Sequence, residues 1–195
     1  MKLNAKQLRK GQNSNSPSGA RIQKLKLKIK RNDIYIVLDD VLDTYNIGSI
    51  FRLADAVAAK KVYLCGGTEI PPNHRIKKAS INTTEVVEWE YCESAVAAIT
   101  KLTSEVKKMQ LHLGGVKPLQ VIAIEQDKRS IQYNQFGYTL PICLIVGNET
   151  TGVSKEVLDM VDGIVELPMF GVNKSLNVMV SLGIVSYEVA SKCLP

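Results

Sequence analysis

Four polar side chains, in three segments, stand where the apolar pattern of this chain has no use for them. Arg52 falls in YNIGSIFRLADAVA (45–58), where Ile50, Leu53 and Val57 recur at helical spacing and Gly48, Ser49 and Ala56 are too small to cover a guanidinium. Asn148 and Glu149 follow directly on the apolar run ICLIVG, and Asn177 closes the loop ELPMFGVNKSLN (166–177). A guanidinium offers five donors in a rigid fork and keeps its proton, so a lone one among small residues raises the question of what it meets. The competing reading of Arg52 is an ion pair with Asp55, three residues on, worth about 0.2–0.5 kcal/mol.

The elements that must position these groups alternate between strands and helices. IYIVLDD (34–40), KVYLCG (61–66), VVEWEY (86–91), LQVIAIEQ (119–126), ICLIVGNE (142–149) and GIVELPM (163–169) read as strands, several of them apolar enough for burial on both faces. Helices are predicted over 46–59, 93–109, SKEVLDMV (154–161) and 175–192, the last with Leu176, Val180, Ile184 and Tyr187 on one face. This is the grammar of an α/β fold with a mainly parallel sheet, in which ligands bind beyond the carboxyl ends of strands. Leu42–Arg52, VGNETTGVS (146–154) and ELPMFGVNKSLN all leave such ends, so one site built from three loops is expected. Gly147 lets a ligand or another backbone approach, Gly152 permits a turn, and Ser154 and Ser175 read as helix caps. Open backbone groups in the third loop suit an adenine edge.

Composition bounds the rest. A chain of 195 residues with 45% hydrophobic and 23% charged residues is one soluble domain, and no apolar run approaches a membrane span. No apolar leader follows the N-terminal lysines, and Cys65, Cys92, Cys143 and Cys193 form no paired motif, so free thiols in the cytoplasm and no metal are expected. The net charge of +6 is uneven: residues 1–32 hold ten Lys/Arg and no acid, as a flexible arm suited to phosphate backbones would. Residues 33–195 form the domain proper. No G-x-G-x-x-G, P-loop or G-x-S-x-G elbow is present, and neither of the two histidines lies in the three loops.

Taken together, Asn46-Ile47-Gly48-Ser49-Ile50-Phe51-Arg52, the segment Val146–Ser154, and Leu167-Pro168-Met169 with Ser175-Leu176-Asn177-Val178 resemble the three motifs of the SpoU/TrmH-type RNA ribose 2′-O-methyltransferases of the SPOUT superfamily. The resemblance runs from about Ile34 to Lys192. It implies helices on both faces of the sheet, a deep trefoil knot near the C-terminus, a homodimer with two active sites at its interface, and S-adenosyl-L-methionine as cofactor. The cofactor contacts it implies are Ile124, Glu125, Gly147, Leu167, Ser175 and Leu176, mostly through backbone. It implies 2′-O-methylation of a ribose in structured RNA, with tRNA slightly favoured over rRNA. Arg52 is then the catalytic cation, with Asn46, Glu149 and Asn177 positioning it and the ribose, and the small residues near Arg52 leave room for ribose and phosphate. Ser80-Ile81-Asn82-Thr83 departs from the family's Ser-x-Gly-Ala, which bears on substrate contacts near Asn82. The alternative function is a non-catalytic RNA-binding protein that retains the fold; complete motifs argue for the enzyme.

Overall fold

The computed structural model describes residues 29–194, so all but the last four residues of the predicted arm lie outside it. Seven strands and five helices follow in the order β1 (Asn32–Asp39), α1 (Thr44–Ala56), β2 (Ala59–Cys65), α2 (His74–Ser80), β3 (Glu88–Cys92), α3 (Ala95–Leu113), β4 (Gln120–Ile124), β5 (Ile131–Gln132), β6 (Ile142–Gly147), α4 (Lys155–Leu158), β7 (Gly163–Glu166) and α5 (Val178–Cys193), with a 3-10 turn at Thr83–Glu85. The sheet order is β3-β2-β1-β6-β4-β7-β5, and every strand pair is parallel.

Parallel pairing buries both faces, and the alternation of each strand decides which layer a side chain joins. In β1, Ile34, Ile36 and Leu38 pack with Ile47, Ile50 and Phe51 of α1 and Leu182, Val185 and Val189 of α5. Tyr35 and Val37 point the other way, to Ala98, Ile99 and Leu102 of α3 and Val157 of α4. Each fully buried Ile, Leu or Phe contributes roughly 1.5–3 kcal/mol, so these two layers hold the sheet between its helices. Strand β6 lies between β1 and β4, and Asp39 at the end of β1 is in register with Gly147 at the end of β6. The loops after these strands therefore emerge side by side at the point where strand order reverses.

Four local features differ from the sequence reading. Helix α1 starts two residues early because Asp43 caps it, its carboxylate accepting from the amides of Tyr45 (2.7 Å) and Asn46 (3.3 Å). Helix α5 starts at Val178, capped by Asn177 rather than near Ser175: the Asn177 side-chain oxygen accepts from the amides of Met179 (3.0 Å) and Val180 (3.4 Å). Helix α2 and the two-residue edge strand β5 were not legible; Ile76 is the sole large apolar residue of HRIKKAS. The inward side of α5 is Leu182, Val185, Ser186 and Val189, while the apolar row Leu176, Val180, Ile184 and Tyr187 is exposed.

Candidate active site

A cleft of about 420 Å³ opens beyond the carboxyl ends of β4, β6 and β7. Its wall includes Ile124, Glu125, Gly147, Leu167, Ser175 and Leu176, the six residues expected to hold a cofactor, together with Glu149 and Asn177. The volume falls in the range of small-molecule sites, roughly 300–1,000 Å³. Apolar side chains from Ile124, Val165, Leu167 and Leu176 suit a flat heterocycle.

The three loops are joined by one run of hydrogen bonds. Asn177 Nδ2 donates to Asn46 Oδ1 at 3.0 Å, and Asn46 Nδ2 donates to Glu149 Oε1 at 3.0 Å. The backbone amides of Asp43 and Leu42 donate to Glu149 Oε1 and Oε2, each at 3.1 Å. Partial burial pulls the Glu149 carboxyl upward, but the donors from Asn46 and the backbone amides outweigh it, so its pKa lies below the ordinary value. The carboxylate is thus anionic at neutral pH, and four hydrogen bonds join five side-chain and backbone groups from segments 103 and 131 residues apart.

The loop after β6 is built by its own residues. Asn148 Nδ2 donates to the Asp40 carbonyl at 2.9 Å, and its Oδ1 accepts from the amides of Thr150 (2.8 Å) and Thr151 (3.2 Å). Asn148, which the apolar pattern left without a use, is therefore explained by turn chemistry. A Cβ on Gly147 would strike the backbone of Gly152 and Val153, so it is the returning chain that approaches there. The Ser154 hydroxyl does not cap α4; it donates to Asp39 Oδ2 at 2.7 Å, with the Ser154 amide donating to the same oxygen at 2.9 Å. Glu125 Oε2 accepts from the Val153 amide at 2.9 Å, and Gln126 Nε2 donates to the Lys174 carbonyl at 2.7 Å. Asp39 and Gln126, absent from the sequence-based set, thereby pin the second and third loops; nothing in their spacing marks them.

Arg52 stands apart. It is exposed, does not line the cleft, and makes no ion pair or hydrogen bond among the described residues. Six residues beyond Asn46, it lies about 9 Å along α1 and about 120° around it. Its competing partner is taken: Asp55 pairs with Arg31 at 3.2 Å, and Arg31 also donates to the Val86 carbonyl at 3.1 Å. Gly48 does not leave room for a ribose. A Cβ there would lie 2.5 Å from Ala79 Cβ, 2.7 Å from the Ile76 carbonyl oxygen and 3.0 Å from the Ser80 amide, so α2 occupies that space. Asn82 is buried with φ 64°, a left-handed conformation that asparagine tolerates as a glycine would; its departure from the family pattern is conformational.

Comparison with known proteins matches residues 33–187 to the SpoU rRNA Methylase family. The tRNA (guanosine(18)-2′-O)-methyltransferase of Aquifex aeolicus is 32% identical over 165 residues, covering 83% of this chain and 71% of that protein. The chain spans 59% and 63% of the length of two further curated relatives. The crystal structure of the A. aeolicus TrmH/SpoU tRNA modifying enzyme superposes with a TM-score of 0.71 at 30% identity, over 89% of this chain and 82% of that one. An AdoMet-bound rRNA methyltransferase from Sinorhizobium meliloti gives a TM-score of 0.66 at 26% identity, over 85% and 59%.

Proposed function

The chain belongs to the SpoU rRNA methylase family, and we propose that it methylates the 2′-hydroxyl of a ribose in structured RNA, with tRNA the preferred class. The observation that carries this reading is the run Asn177–Asn46–Glu149, which ties all three motif loops together at the lip of the cleft. S-adenosyl-L-methionine fits the cleft's volume, apolar walls and open backbone, and Ile124, Glu125, Gly147, Leu167, Ser175 and Leu176 would hold it. When bound, it supplies a methyl group activated on a sulfonium. The A. aeolicus relative is named as a tRNA methyltransferase and the S. meliloti structure as an AdoMet-bound enzyme, which supports both assignments.

Transfer of that methyl needs the ribose oxygen aligned and its growing negative charge stabilised. Asn177 and Asn46, with their amides already oriented by Met179, Val180 and Glu149, fix the lip against which the ribose rests. Arg52, exposed, unpaired among the described residues and outside the cleft of its own protomer, would meet the ribose where two protomers join, gripping the neighbouring phosphate and stabilising the developing alkoxide. It acts in a homodimer: Leu176, Val180, Ile184 and Tyr187 form an exposed apolar row beginning at the cleft, the kind of face a second copy covers. The knot is part of the same reading, with the chain after Gly147 threading an earlier loop. We place the enzyme in the cytoplasm; among the described residues no helix is long and apolar enough to cross a membrane.

Two measurements test the function. Incubated with labelled cofactor and separated tRNA and rRNA from a strain lacking the protein, the full chain should label a ribose 2′-oxygen; label on a base overturns the assignment. Arg52→Lys should bind the cofactor normally by calorimetry while turnover falls by about 10²-fold or more; full activity in that variant removes Arg52 from the mechanism.

A further inference from the structure

Helix α2 has the sequence HRIKKAS, with Ile76 and Ser80 buried and His74, Arg75, Lys77 and Lys78 exposed. Its outer face therefore carries three permanent cations and a histidine, and no acid. None of these four side chains makes an ion pair or hydrogen bond among the described residues, whereas Arg31, Lys60, Lys61, Lys101, Arg129 and Lys192 all do. The background makes the cluster stand out: residues 29–194 hold seventeen Lys/Arg against nineteen Asp/Glu, so the folded body is slightly acidic. The acids next along the chain are Glu69 and Glu85, on the segments flanking α2. Asp55, the sole acid of α1, is held by Arg31.

The helix is also rigidly placed. Asn73 caps it, accepting from the amides of Arg75 (2.9 Å) and Ile76 (3.3 Å), and the left-handed residues Ile81 and Asn82 end it abruptly. It is pressed against α1 at Gly48, four residues and about one turn before Arg52 on the same side of that helix. The loop leading to α2 leaves the carboxyl end of β2, where Cys65 is in register with Asp39, itself in register with Gly147 of the cleft. The cations thus sit on helices fed from the sheet edge that carries the cleft.

We infer that Arg75, Lys77 and Lys78 form a docking surface for the phosphate backbone of the substrate RNA, leading toward Arg52; this rests on the reading of the chain as an RNA methyltransferase. Three unpaired cations on a helix that packs against α1 one turn from Arg52 recognise phosphate spacing without reading sequence, and neutralising phosphates releases counterions. The surface sets affinity and register for the RNA while the cleft does the chemistry.

The test is the triple variant Arg75→Ala, Lys77→Ala, Lys78→Ala of the full chain, with Lys107→Ala, Lys108→Ala on the opposite helical layer as a charge-loss control. Binding to unfractionated tRNA is followed across a salt series, alongside cofactor calorimetry and RNA methylation. The triple variant should lose roughly 10- to 100-fold in RNA affinity near 0.1 M salt, and its log–log salt slope should flatten by about 2. KM for RNA should rise while kcat at saturating RNA and cofactor affinity hold. An unchanged salt slope, or an equal loss in the Lys107/Lys108 control, overturns the docking surface and leaves the methylation reading intact. Cofactor binding without methylation of any RNA by the unmodified protein would instead remove the functional reading.

Discussion

Replacing Gly48 by alanine sets two effects of opposite sign against each other. Within a helix, Gly to Ala gains about 1 kcal/mol of intrinsic propensity. At this position the new methyl would stand 2.5 Å from Ala79 Cβ, 2.7 Å from the Ile76 carbonyl oxygen and 3.0 Å from the Ser80 amide nitrogen. Two of those neighbours are backbone, so no rotamer change relieves the clash and α2 must shift as a body. Overpacking of this kind costs about 1–3 kcal/mol, and contacts with backbone place it at the upper end. The expected net is a loss of about 1–2 kcal/mol. In a chain of this size each kcal/mol moves the midpoint by about 2–4 °C, so Gly48→Ala should melt about 2–8 °C lower in a thermal scan under reversible conditions. A variant that melts higher than the parent would mean propensity wins, and the close α1–α2 contact described here would be refuted.

Glu149→Gln should cost about 1 kcal/mol, because one of the Leu42 and Asp43 amides loses its acceptor at an exposed site. The folded pKa of Glu149 is depressed, so its contribution is present above the ordinary carboxylate value and lost as pH falls through the folded one; the parent–variant gap in urea unfolding should close in acid. A gap that persists undiminished would refute the clamp. Ile184→Glu, on the exposed row of α5, should convert the proposed dimer to monomer in sedimentation velocity; a variant that sediments as the parent does rules out that face. Arg31→Ala frees Asp55 to pair with Arg52 three residues away, lowering turnover by about twofold, with Asp55→Asn restoring it in the same background. Failure of that restoration would show that Arg31 acts only through stability.

The strands and the three loops were legible because buried parallel strands are written as continuous apolar runs, and the breaks after them as Gly, Asn, Pro and Ser. ICLIVG and IYIVLDD gave β6 and β1 nearly to the residue. Helix α2 was not legible: with Ile76 as its one large apolar residue, its stability comes from packing on Gly48, which no local window contains. The apolar row Leu176-Val180-Ile184-Tyr187 was legible as a face, but not which way it turns, since Leu182-Val185-Val189 has helical spacing too and is the row the structure buries.

The same division runs through the site. By itself the sequence determined which residue types stand at the carboxyl ends of β1, β6 and β7, because motif order and spacing are one-dimensional facts. Only the tertiary structure decided what each of them touches. Asn46 bonds to Glu149 and to Asn177, Ser154 gives its hydroxyl to Asp39, and Arg31 takes the Asp55 that Arg52 would otherwise hold. Hydrogen bonds and ion pairs reach about 3 Å and are indifferent to sequence separation, so these partners are chosen by the fold that brings distant strand ends into register.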